Sequence, residues 1–165
     1  MKRIKLLVAG LAVVLSLLPS TVLAAGPYTE SVFGIETGFA AGGCGAAGDQ
    51  STFAGTATGT INGAFQIAVC HTPLTPNATI TGGTYTVTNA TTTLNGDFPP
   101  GGSVTQLDGT RNLGSLCIQQ YTVIGALTPA GSGFTGKLTH VGLAAEGSCN
   151  VFFAFITGTA FITGP

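Results

Sequence analysis

Apolar and polar residues alternate along most of the chain with the period of a β-strand. "FAGTATGTI" (53–61) sets Thr56, Thr58 and Thr60 on one face, and "AFQIAVC" (64–70) follows directly. The Asn62–Gly63 pair between them predicts a tight hairpin with both turn residues at positive φ. "TITGGTYTVTN" (79–89) places Tyr85 and Val87 on one side and Thr84, Thr86 and Thr88 on the other. "TTTLNGDF" (91–98) precedes "PPGG" (99–102), a turn that no helix or central strand accommodates. "SVTQL" (103–107), "LGSLCIQQYTVIGALT" (113–128) and "FTGKLTHVGLAA" (134–145) complete the series, with "PAGSG" (129–133) as a further turn. Short strands with a turn signal between each predict an all-β fold: a single-domain antiparallel β-barrel or β-sandwich of about eight strands. "ETGFAAGGCGAAGDQS" (36–51) reads as a flexible loop. Phrases such as "FITG" recur without a fixed period, so they are hairpin chemistry repeated within one domain.

The closing stretch "CNVFFAFITGTAFITGP" departs from this pattern because neither face is polar. One face carries Phe153, Phe155 and Phe161, the other Phe152, Ala154, Ile156 and Ile162. A half-solvated strand alternates apolar with polar, so each face here needs a cover. The core covers one. For the other, the expected cover is the segment "GPYTESVFGIETGF", with a second subunit or a bound apolar molecule as alternatives. Phe152, Phe153, Phe155 and Phe161 are therefore candidate interaction residues.

The first residues change how composition is read. Lys2, Arg3 and Lys5 precede an apolar run from Leu6 to Leu18, and Val22 and Ala24 satisfy the small-x-small rule. This is the pattern of a secretory signal peptide, 1–24, cleaved after Ala24 or Ala25. The apolar run is shorter than the ~20 residues of a spanning helix, so no membrane anchor is expected after cleavage. The expected location is extracellular, with the periplasm or a cell surface as variants. The remainder, 25–165, is the size of one domain. It retains two bases, Arg111 and Lys137, against six acids, a net charge of −4. That excludes nucleic-acid binding through phosphate neutralisation and argues against docking on anionic lipid. Ten Phe, with abundant Val, Ile and Leu, separate the chain from disordered low-complexity sequence.

All four cysteines lie in this domain, and an even number in an exported chain of this size predicts two disulfides. A hairpin of 115–127 with 133–144 brings Cys117 near Cys149, which leaves Cys44 to pair with Cys70. No Cys/His spacing suits zinc, and no run of oxygen ligands suits calcium, so no metal or cofactor is expected. His71 and His140 are the side chains that titrate near neutrality, each beside a strand end. Asp97, Asp108 and Glu146 flank turns, where Asp caps backbone N–H groups. No G-x-S-x-G elbow or phosphate loop occurs. Asn77 and Asn89 match the glycosylation sequon, and Thr-rich stretches supply only fragments of an ice-binding array.

Four function classes follow. The first is an extracellular structural or assembling protein that associates by strand addition. The alternative is a small barrel that binds an apolar ligand. An outer-membrane barrel lacks its aromatic girdles. An enzyme lacks an assembled acid, base and nucleophile.

Overall fold

The computed structural model describes residues 27–145 and 148–164; the expected signal segment lies outside the described residues. Nine strands follow in order: β1 (Tyr28–Ala40), β2 (Asp49–Gly59), β3 (Gly63–His71), β4 (Ala78–Thr88), β5 (Thr93–Asp97), β6 (Ser103–Leu113), β7 (Leu116–Leu127), β8 (Ser132–Ala145) and β9 (Ser148–Ile162). They form one antiparallel sheet in the order β3-β2-β1-β9-β8-β7-β6-β4-β5, and pairing of β3 with β4 closes it into a ring. The fold is a barrel, not a sandwich.

β5 and β6 lie end to end along one edge of β4. Thr88 to Thr84 pair with Thr93 to Asp97, whereas Thr79 and Ala78 pair with Ser103 and Val104. Between the two halves, Phe98 N–H donates to the Gly83 carbonyl (2.9 Å) and Gly101 N–H to that of Ile80 (2.9 Å). Pro99 and Pro100 thus break what would otherwise be one strand, and the wall has eight staves, one of them interrupted.

Alternation sends every second side chain into the lumen. One end is filled. Tyr28, Val32, Phe65, Tyr85, Val87, Leu127, Phe134 and Ile162 are all buried there. Phe134 fits because two paired glycines face it: a Cβ on Gly136 or Gly158 would lie 2.6 Å from its Cζ. Ile61 folds into the same end and donates its N–H to Glu30 Oε1 (2.6 Å), while Asn89 Nδ2 holds the Ile61 carbonyl (2.6 Å).

Both disulfides are at the other end. Cys44–Cys70 ties the β1–β2 connection to β3, and Cys117–Cys149 ties β7 to β9. These are the pairs that strand spacing suggested. The second bridge passes over β8 at Gly142, where a Cβ would come within 2.9 Å of Cys149 Sγ.

Three expectations need correction. Residues 28–40 form a long strand in the wall, β1, which pairs laterally with β9 and does not lie over its outer face. The outward side chains of β9 are therefore not covered by the N-terminal segment. The stretch 36–51 is a loop only between its strand ends, with a short 3-10 turn at Gly45–Ala47. The Asn62–Gly63 pair is not a two-residue turn. The last β2–β3 pair is Ala57 with Gly63, so the connection is longer, and Asn62 (φ 54°) rather than Gly63 takes the left-handed conformation. Burial of Ile61 explains the longer loop: a tight turn would leave that side chain in water.

Candidate functional site

The open half of the lumen holds a cavity of about 670 Å³. In the filled half a void of only about 20 Å³ lies beside Val32, Phe65, Val87 and Ile162. Phe53, Ile67, Ile80, Val104, Val123, Leu138 and Ile156 form the cavity walls, and Phe98 stands at its base. Phe39, Leu74 and Val151 form an apolar lip at the mouth. Phe39 reaches the lip because a bulge between Glu36 and Gly38 rotates the end of β1.

Two polar clusters interrupt the apolar wall. The first gathers Glu36 from β1, Ser51 from β2 and His71 from β3. Ser51 and His71 are buried, with Ser51 Oγ 3.2 Å from His71 Nε2. His71 Nδ1 lies 2.8 Å from the Thr72 carbonyl, which can only accept, so Nδ1 carries a proton. In the neutral ring Nε2 is then an acceptor for the Ser51 hydroxyl. Burial raises the Glu36 pKa, an effect partly offset by the Ser51 hydroxyl and by His71. Asp49 lines the mouth beside this cluster and accepts from Gly42 N–H (2.8 Å).

The second cluster lies on β7 and β8. Tyr121 donates to Gln119 Oε1 (3.2 Å), and its ring is 5.1 Å from that of His140. Burial, and then the proximity of His71, pushes the His140 pKa down to about 4. His140 is thus neutral at ordinary pH, and a proton on either histidine opposes a proton on the other. Burial raises the Tyr121 pKa. Neither base of the domain borders the cavity. Arg111 is paired with Asp108 (2.8 Å) in an exposed hairpin, and Lys137 points outward from β8.

Sequence reading placed His71 and His140 at strand ends and missed Glu36 and Ser51. Both fell within the stretch taken for a loop. A signal was available, because Tyr28, Glu30, Val32, Gly34 and Glu36 alternate inward, but two acids on the inner face disguise a core pattern. No residues in the cavity form an elbow with a nucleophile, and among the described residues no three metal-ligating side chains cluster. Asp108, at positive φ, anchors the exposed ion pair. Asn89 accepts from the N–H groups of Thr91 (2.9 Å) and Thr92 (2.8 Å), so this sequon asparagine is committed to a turn.

The candidate interaction residues lie elsewhere. Phe153, Phe155 and Phe161 point outward from β9, whereas Phe152 occupies the bulge opposite Val141 and Gly142 and is 63% exposed. That bulge explains why simple alternation put Phe152 on the inner face. Phe155 packs near Phe33 (6.2 Å between rings) and Phe153 (6.0 Å), forming an outer aromatic patch. β9 is hydrogen-bonded on both sides, to β1 and β8, so it offers a partner side chains and no free main-chain edge. No helix among the described residues is long and apolar enough to cross a membrane. Comparison with known families, curated proteins and solved structures finds no match.

Proposed function

We propose that the protein is an exported carrier or sequestering protein that holds a small, mainly apolar molecule in the open half of its barrel. The observation that carries this reading is the cavity of about 670 Å³, walled by aliphatic and aromatic side chains and marked by a few convergent polar groups. A core left unfilled forfeits both hydrophobic burial and dispersion contacts, and a ligand restores them. The two disulfides at the mouth suit a rim that must keep its shape in an oxidising compartment. The outer-membrane reading is weakened by polarity that runs the wrong way. Such barrels are polar within, whereas the lumen here is mainly apolar; the outer wall mixes Thr56, Thr58, Thr86 and Thr88 with exposed Phe33, Ile124 and Phe161.

Titration of the folded, oxidised protein with the neutral dye Nile red tests the reading. Saturable binding that Leu138→Trp abolishes, with thermal stability retained, is the expected result. Binding unaffected by filling the cavity would place the dye elsewhere and remove the support. A second reading, self-association, draws on the outer patch of Phe33, Phe153 and Phe155. If it holds, Phe153→Asp reduces the oligomer without altering dye affinity.

A further inference from the structure

Among the described residues the cavity lining has carboxylates and histidines but no Lys or Arg, and this imbalance constrains its occupant. Glu36 and Asp49 are the ionisable acids at the lining. Facing Glu36 are Asp49 and Ser51 on β2, His71 on β3, and Tyr121 and His140 across the lumen on β7 and β8. None of these is a Lys or Arg, and His140, its pKa lowered to about 4, carries no charge at neutral pH. An apolar acid, such as a fatty acid, would set its carboxylate beside two others with no Lys or Arg to pair it.

The hydrogen bonds point the same way. Ser51 has one proton and two acceptors beside it, the Glu36 carboxylate and His71 Nε2. Nδ1–H of His71 is already committed to the Thr72 carbonyl. When Ser51 donates to His71, Glu36 has no donor; when it donates to Glu36, Nε2 of the buried histidine has none. With Glu36 ionised and one proton on His71, the cluster is short by one N–H or O–H group, which a further proton, a water or a donor from the cavity supplies. An ammonium carries three donors and a charge, and the aromatic residues Phe39 and Tyr121 are part of the same lining.

Resting on the carrier reading above, we propose that the occupant is an amphiphilic amine, with an apolar body in the barrel and a protonated amino group paired with Glu36. The ammonium donates to the Glu36 carboxylate and leaves Ser51 free to donate to His71. Because burial raises the Glu36 pKa, acidification protonates the carboxylate and removes the pairing charge. Binding is thus tight at neutral or mildly alkaline pH and weakens in acid.

Calorimetric titration with decylamine, decanol and decanoate separates the two proposals, since the three probes share one apolar body. At pH 8 decylamine, protonated like a Lys side chain, is expected to bind at least ~10-fold tighter than decanol, with decanoate weakest; ~10-fold corresponds to about 1.4 kcal/mol. Glu36→Gln, nearly isosteric, should erase the advantage of the amine over decanol, and an unchanged circular dichroism spectrum with cooperative unfolding certifies the fold. At pH 5 the gap between amine and alcohol should narrow in the wild-type protein only. Decanol binding with no preference for the amine, a preference for decanoate, or a gap that survives Glu36→Gln overturns the amine assignment and leaves the carrier reading standing. Failure of all three probes to bind overturns both.

Discussion

The two halves of the barrel share one wall, one alternation and one set of strands, yet one is solid and the other hollow. The difference is in how the lumen is plugged at each end. In the filled half, Phe65, Tyr85 and Phe134 reach across the lumen, and Phe134 occupies space that Gly136 and Gly158 vacate. Ile61, from the β2–β3 connection, folds into the same end. In the open half Phe53, Phe98 and Tyr121 are as large, but with Ile67, Val104, Val123 and Leu138 they border the cavity. A ring of about eight strands is either filled by its side chains or left with room for one small molecule, and here each end takes one of these forms.

Matched truncations break or sharpen this contrast most strongly. Phe134→Ala removes a ring from close packing and should cost about 3–5 kcal/mol. Phe53→Ala removes a ring of the same size that already borders empty volume, and should cost about 1–3 kcal/mol. Denaturant unfolding with linear extrapolation measures both; equal losses would mean that the halves do not differ in packing. Only the Phe53 change should alter dye affinity.

Removing the bridge across β8 comes next. The double change Cys117→Ser and Cys149→Ser is expected to lower stability by ~2–4 kcal/mol. It should also weaken ligand binding, since the bridge holds the rim of the hollow half. Loss of stability with unchanged affinity would show that the rim keeps its shape without it.

The smallest effect is a pH dependence confined to the open half. The folded-state pKa of His140, about 4, is below its unfolded value of ~6.5. The unfolded chain therefore takes the proton first, and stability falls as pH drops from ~6.5 towards 4, by ~1–3 kcal/mol once its partial exposure is considered. Above ~6.5 the group contributes nothing. His140→Gln should flatten this limb in urea titrations across that range. Glu36 acts with the opposite sign: its raised pKa makes the ionised form a cost that grows as pH rises, so Glu36→Gln should stabilise the protein at neutral pH.

Much of the architecture is legible in the sequence because a half-buried strand leaves a period of two. β4, β7 and β8 show it plainly, and the Cys pairing follows once β7 and β8 are read as a hairpin. Barrel and sandwich leave the same period, however, and closure depends on the β3–β4 register, a long-range property that no local window contains. β1 escaped because Glu30 and Glu36 occupy inward positions. Buried carboxylates are rare, so a pattern that includes two reads as solvent-facing. Glu30 holds a backbone N–H at the closed end and Glu36 faces the cavity, and neither use is visible without the fold. Thus the same two residues that hid the strand mark the molecule's two ends. The cavity was illegible for a further reason: a row of aliphatics looks the same whether it meets a neighbour or empty space.

The interrupted stave deserves a dynamical reading. β8 and β9 are paired from Gly133–Phe161 to Ala145–Ser148 with a single irregularity, whereas β4 and β6 share only Ala78–Val104 and Thr79–Ser103. Pro99 and Pro100 have no N–H to lend to this seam. Two bonds, from Gly101 N–H to the Ile80 carbonyl and from Ile80 N–H to that of Gly102, extend the short ladder. Local opening is expected where a ladder is shortest, so amide exchange at Val104 should outpace exchange along β8 and β9; that outcome would make the seam an expansion joint of the hollow half.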